Sequence, residues 1–113
     1  MPLTVQRLGP DVCVAGQLTP NAMVEAAAQG FRSVINNRPD FEGGPDQPTA
    51  AAIEAAARAA GLAYCHLPVA PGLQCADEIA QFGALSAALP KPILAFCRSG
   101  TRSGKLYRAV AGG

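Results

Sequence analysis

Apolar residues fall along this chain in short unbroken blocks, separated by stretches where small side chains recur at helical spacing. Val12 to Ala15 is one such block, ended by Gly16, and Ser33 to Ile35 is another, ended by Asn36-Asn37-Arg38-Pro39. Both predict buried strands with polar loops at their exits. Between them Thr19 is placed to cap a helix with Pro20 in its first turn, an apolar stripe of Ala22, Met23, Ala26 and Ala27, and Gly30 near its end. Phe41-Glu42-Gly43-Gly44-Pro45-Asp46 reads as an exposed turn, and the Ala-dominated run from Thr49 to Ala60, closed by Gly61, as a second helix. Tyr64 to Val69 predicts a strand, Ala70-Pro71-Gly72 a turn, and about Asp77 to Leu89 a third helix. Pro90 and Pro92 flank the approach to Ile93-Leu94-Ala95-Phe96, an apolar strand of the kind buried on both faces at the centre of a parallel sheet. A last helix runs from the polar loop behind it to about Ala111.

This alternation of strand and helix predicts an α/β fold: a compact three-layer domain with a short, mainly parallel sheet flanked by helices. With 113 residues there is room for a single domain, 1–113, and no internal repeat or linker divides it. Nine Lys and Arg against eight Asp and Glu leave a net charge of +1, which gives no electrostatic footprint for nucleic acid. No apolar run reaches the length of a membrane span, and Met1-Pro2-Leu3-Thr4 lacks the features of a signal peptide, so the expected setting is cytoplasmic. Cys13, Cys65, Cys75 and Cys97 contain no close CxxC pair, which points to free thiols in a reducing compartment. His66 with Cys65 and Cys75 offers too few ligands at unsuitable spacing for zinc, and neither a metal nor a cofactor is expected. Cys13 and Cys65 read as core residues, and Cys75 as the one plausible resolving thiol.

The most unusual polar sequence, Cys97-Arg98-Ser99-Gly100-Thr101-Arg102-Ser103, lies where the apolar strand hands over to the last helix. Open α/β sheets place their sites at such strand exits. A thiol facing a helix start has its anion favoured by unpaired amides and the positive end of the helix dipole. Cys97 is therefore the expected nucleophile. Gly100 lets the loop curl its amides inward, while Arg98 and Arg102 offer fork-shaped donors to an anion above the sulfur. Ser99, Gly100, Thr101 and Ser103 complete the expected anion-binding loop, with helix capping as a second reading of Ser103. The bland alternative makes Cys97 a small core residue and the arginines surface groups. Gly100 to Lys105 does not form a nucleotide phosphate loop, because Ser99 and Leu106 stand where that motif requires Gly and Ser or Thr. Lys105 is assigned to the solvent face of the last helix.

With Ala15-Gly16-Gln17, Val34 to Asp40 and His66-Leu67-Pro68-Val69, this loop resembles the phosphatase-like domain of beta-lactamase-hydrolase-like proteins, over nearly the whole chain. The resemblance implies a compact dual-specificity-phosphatase-like fold, in a family described both as phosphatase-like and as sulfurtransferases linked to sulfide or persulfide metabolism. A phosphatase signature separates its Cys and Arg by five residues; here Arg102 arrives one position early, and the loop is similar in length to that of rhodanese-type sulfurtransferases. A tighter ring has less room for the equatorial oxygens of a phosphoryl group than for a persulfide sulfur. Resembling phosphatases often place an Asp just beyond a strand like Leu67-Pro68-Val69, but Ala70-Pro71-Gly72 follows here, leaving Asp77, Asp40 or Glu42 as more distant acids.

The leading expectation is thus sulfur transfer through a Cys97 persulfide, with Arg102 and Arg98 orienting a small anionic sulfur donor and a thiol as acceptor. The alternatives are a phosphate-ester hydrolase using a phosphocysteine and a non-catalytic oxyanion-sensing or protein-binding module. Gln17, Arg38, His66 and Asp77 are expected around the site, each with a structural reading beside it: turn stabilisation, an ion pair with Asp40 or Glu42, a backbone hydrogen bond, and helix capping. A fused or neighbouring enzyme of sulfur metabolism is an expected partner.

Overall fold

The computed structural model describes residues 3–72 and 74–112, so the Met1-Pro2 part of the N-terminal reading and the last residue of the 1–113 domain lie outside it. Five strands, β1 (Gln6–Arg7), β2 (Val12–Ala15), β3 (Ser33–Asn36), β4 (Ala63–His66) and β5 (Ile93–Phe96), form one sheet in the order β1-β2-β5-β3-β4. Only β1 runs antiparallel to its neighbour. Helices α1 (Ala22–Ala28) and α2 (Ala50–Ala59) cover one face, and α3 (Ala76–Ala88) and α4 (Thr101–Gly112) the other. This is the expected three-layer α/β arrangement with β5 at its centre.

The apolar blocks explain the layering. Along β5, Leu94 and Phe96 pack with Met23, Ala26, Ile53 and Ala57 beneath α1 and α2, while Ile93 and Ala95 meet Phe82 and Leu106 from α3 and α4. Every β5 side chain is buried, as a strand between two helical layers requires. The register places Ala15, Phe96 and Asn36 in one row. The chain therefore leaves the sheet at three adjacent points: Gly16, Cys97 and Asn37. Hydrogen bonds from Cys97 N–H to the Ala15 carbonyl (3.3 Å) and from Asn37 N–H to the Phe96 carbonyl (2.8 Å) carry the alignment one residue past the ladder.

Several boundaries differ from the pattern-based ones. α1 begins at Ala22, and Pro20 and Asn21 form a preceding turn; the Thr19 hydroxyl still accepts the Ala22 N–H, at 3.3 Å. β4 ends at His66 rather than Val69 because Pro68 has no N–H for the ladder. The segment beyond stays tied to β3's exit through Leu67 N–H to the Asn36 carbonyl (2.9 Å) and Val69 N–H to the Asn37 carbonyl (3.0 Å). β3 reaches Asn36, one residue further than its apolar run. α2 matches expectation closely, with the Thr49 hydroxyl accepting the Ala52 N–H at 3.1 Å and Gly61 in the left-handed region at φ 84°.

Candidate active site

Cys97 opens a tight bend between β5 and α4, and two glycines make that bend possible. Gly100 has φ 90°, and a Cβ there would lie 3.4 Å from the Ala15 carbonyl group. A Cβ on Gly16 would lie 3.2 Å from the Arg98 carbonyl oxygen, which accepts the Gln17 N–H at 3.1 Å. The bend is thus clamped onto the end of β2, and its curvature turns the Gly100 N–H toward Cys97 Sγ at 3.1 Å. α4 starts at Thr101, so Thr101, Arg102 and Ser103 form its first turn rather than an extended loop.

Cys97 has 0% exposure. Burial alone pushes its thiol pKa up, but hydrogen bonds from the amides of Ser103, Ser99 and Arg102 and from the Ser103 hydroxyl outweigh it, and the net direction is downward. Cys13 shows the opposite balance: burial raises its thiol and nearby Arg7 only partly offsets this. Cys75, at the start of α3, is exposed, and Cys13 and Cys65 are half-buried.

Arg102 is buried beside the sulfur, and its donors can be assigned one by one. Nη1 donates to Glu42 Oε2 (2.8 Å) and to the Val69 carbonyl (3.0 Å), and Nη2 donates to Glu42 Oε1 (2.7 Å). A guanidinium carries five N–H groups. The two N–H groups left over, on Nε and Nη2, lie parallel on one edge, the geometry that takes two oxygens of an anion, and a hydrogen bond with Cys97 is among the causes that raise the Arg102 pKa. Glu42, chiefly through its hydrogen bond, raises the Arg102 pKa and keeps the group charged.

Glu42 also accepts from Arg38 Nε at 2.9 Å, so two buried arginines converge on one carboxylate. The hydrogen bond from Arg102 is the largest influence on it and, with that from Arg38, outweighs the opposing effect of burial, so its pKa is lowered to about 2. At neutral pH it is a fixed anion and cannot serve as the general acid considered from the sequence. The loop presenting it is strapped by Gln47, whose Oε1 accepts the Gly43 N–H (2.7 Å) and whose Nε2 donates to the Pro39 carbonyl (2.9 Å). Phe41, just before Glu42, is 68% exposed at φ 64°, a left-handed conformation uncommon for a bulky residue.

The structure gathers Gln17, Arg38 and His66 on the flank of this cluster. Arg38 Nη1 donates to Gln17 Oε1 at 3.0 Å, and His66 Nε2 is 2.9 Å from the Arg38 carbonyl oxygen. His66 therefore takes the backbone role, and Arg38 pairs with Glu42. Arg98, Ser99 and Thr101 face solvent at the rim, where the Ser99 hydroxyl donates to Thr101 Oγ1 at 3.0 Å. Asp77 is not brought to the cluster by any hydrogen bond found; it is exposed in the first turn of α3, where a carboxylate suits the helix dipole. Asp40 is also committed elsewhere, accepting the Ala50 N–H at the start of α2 at 2.7 Å. Among the described residues no group of three or more His, Cys, Asp or Glu side chains is placed to hold a metal ion, and no helix is long and apolar enough to cross a membrane.

Asn37 was missed from the sequence. It is fully buried, its Nδ2 donates to the Leu67 carbonyl (2.9 Å), and its Oδ1 accepts from the Ser103 hydroxyl (2.8 Å). Its signal was available: a pair of Asn residues directly behind an apolar strand is costly to bury unless both have work for their amides.

Comparison with known proteins places this geometry in a group. The family described as "Beta-lactamase hydrolase-like protein, phosphatase-like domain" matches residues 4–112. The chain belongs to this family. Beta-lactamase hydrolase-like proteins from Xylella fastidiosa are 40% identical over 85% of the chain, and one from Agrobacterium fabrum is 37% identical over 89%. The chain spans only 22% and 23% of those relatives' lengths. Among solved structures, a candidate phosphatase from Neisseria meningitidis superposes with TM-score 0.86 at 32% identity, covering 96% of this family member and 78% of that chain. The core catalytic domain of a PP-IP phosphatase from S. cerevisiae, solved with citrate, gives TM-score 0.75 at 12% identity, covering 99% and 67%, a likeness of fold alone. The fold is phosphatase-like.

Proposed function

We propose that this phosphatase-like domain is a cysteine-dependent sulfurtransferase. The observation that carries the reading is the pairing of a short Cys97-to-Arg102 loop with surroundings in which Glu42 is held ionised, Asp40 caps a helix and His66 bonds the backbone. Sulfur transfer needs an ionised sulfur and an anion cradle but no general acid. The Cys97 thiolate attacks the outer sulfur of thiosulfate or of a small persulfide; an S–S bond forms to Cys97 as the donor's S–S bond breaks, and sulfite or a thiolate departs with the electron pair. An acceptor thiolate then attacks the terminal sulfur of the Cys97 persulfide, forming a new persulfide and restoring the Cys97 thiolate. The open fork of Arg102 holds the donor's anionic end, Arg98 at the rim draws it in, and the amides of the bend stabilise charge on the persulfide. Free thiols throughout the chain suit a reducing compartment such as the cytoplasm.

The second reading is a phosphomonoester hydrolase through a Cys97 phosphocysteine. The family description and the structural neighbours support it more directly than they support sulfur transfer. It needs a leaving group stable enough to depart without a nearby acid, as an aryl phosphate provides. Steady-state assays separate the two: sulfur transfer from thiosulfate or glutathione persulfide to a thiol, lost in Cys97→Ser and strongly weakened in Arg102→Ala, is expected. Hydrolysis of aryl phosphate by the wild type with no transfer from either sulfur donor reverses the assignment. Tight oxyanion binding without turnover of any of these, retained in Cys97→Ser, replaces both with a binding module.

A further inference from the structure

A cleft of about 760 Å³, a volume typical of ligand pockets, opens beside the cluster already described. It is lined by Gly16, Gln17 and Leu18 behind β2, by Glu25 of α1 and by Thr4 ahead of β1. Two of these residues form the clamp on the Cys97 bend. A Cβ on Gly16 would lie 3.2 Å from the Arg98 carbonyl oxygen and 3.6 Å from Ser99 Cα, and the Gln17 N–H donates to that carbonyl at 3.1 Å. A second cavity of about 230 Å³ shares Thr4 and Gly16 with the first and reaches Ser99 and Gly100. The cleft therefore runs up to the wall of the bend. On its other side the Gln17 side chain accepts from Arg38 Nη1 at 3.0 Å, and Arg38 shares Glu42 with Arg102.

Charge in the cleft is one-sided. Among the described residues lining it, Glu25 is the single ionisable one, and the others are apolar, hydroxyl or amide side chains. Glu25 is half-buried and makes no salt bridge among the described residues. An anion is disfavoured there and a cation favoured. We propose that this cleft is the acceptor subsite and that it takes a short peptide thiol carrying a protonated amine, the thiolate directed to the bend and the ammonium to Glu25. A three-residue peptide, about 10 Å long when extended, is of a size to lie along it. The two substrates are thereby sorted by charge: the anionic donor goes to Arg102 and Arg98, and the amine-bearing acceptor to the side of the bend that holds Glu25 and no cation.

The role as acceptor subsite rests on sulfur transfer at Cys97, while the preference for an ammonium does not, so binding is measured first. Amide NMR shifts of the full chain are followed as Ser-Gly-Lys and Ser-Gly-Gln peptides, blocked at both ends, are titrated in; the Ser stands for the reacting Cys. The Lys peptide is expected to move the Gly16, Gln17 and Glu25 signals and to bind about two- to fivefold more tightly than the Gln peptide, the effect of one partly exposed ion pair, with the difference shrinking in high salt. Glu25→Gln should abolish the preference and Glu25→Lys reverse it. No shifts at these residues, or a Lys preference that survives in Glu25→Gln, overturns the proposal. Sulfur transfer to the matching Cys-Gly-Lys and Cys-Gly-Gln peptides should then show the same preference, carried by KM rather than kcat. Transfer to both without preference removes the role of the cleft and leaves the sulfurtransferase reading intact. Selective binding with no sulfur transferred to any thiol overturns that reading and, with it, the acceptor role.

Discussion

Glu42 has the most to do of any residue outside the bend. By filling one fork of Arg102 it fixes which edge of that guanidinium is left over, and it ties Arg38 to the same carboxylate. Glu42→Gln should weaken both pairings, with a loss of about 1 kcal/mol in stability by urea unfolding, since the carboxylate is partly open to solvent while its two arginines are buried. The sign of its pH effect follows from a folded pKa of about 2 against an ordinary 4.5. Its contribution is fully present above about 4.5 and fades as pH falls from there through about 2. Unfolding free energies at pH 6 and pH 3 should show this fall in the wild type and much less of it in Glu42→Gln. The sequence singled out Cys97 and Arg102 because residue type, spacing and a strand exit all agreed there, and the structure sets the two side by side. It offered Glu42 only as one of two partners for Arg38 or as a distant acid, and it gave Asn37 no role, because those roles depend on which loops the sheet order brings together.

At the scale of elements, the site is a meeting of three strand exits, and glycines at two of them set how closely they approach. Gly100→Ala forces a side chain into the left-handed region against the end of β2 and should cost about 1–2 kcal/mol in stability. It should also reduce covalent loading of Cys97, because the Gly100 amide loses its aim; a fluorescence-monitored urea titration and the loading assay read the two effects. β2, β3 and β5 were legible as apolar blocks, and α2 as an Ala run between Thr49 and Gly61, because each carries both a periodic signal and its own punctuation. β1 was not. Two exposed residues, Gln6 and Arg7, pair with β2 without any hydrophobic pattern to announce them. The start of α4 was placed too late in the polar loop because the same residues that bind an anion also make a good first helical turn.

Across the whole molecule, the two cores on either side of the sheet are separate packing problems joined by β5. Ile53→Ala, on the α2 side, and Phe82→Ala, on the α3 side, should each destabilise the fold by about 3–4 kcal/mol, as for large-to-small changes at fully buried positions. Because β5 links both layers, each should lower the midpoint of one shared unfolding transition rather than create a second, which circular dichroism and intrinsic fluorescence followed together will show. The layer order was legible from strand and helix alternation. The strand order was not, since periodicity says which faces are buried but not which strands are neighbours.

The most direct test of the account is the intact mass of the protein after brief incubation with thiosulfate, glutathione persulfide or an aryl phosphate, followed by rapid acid quench. The account predicts a gain of one sulfur atom from a sulfane donor, mapped to Cys97 and absent in Cys97→Ser. No sulfur gain from either donor, or a phosphoryl group on Cys97 in its place, contradicts it.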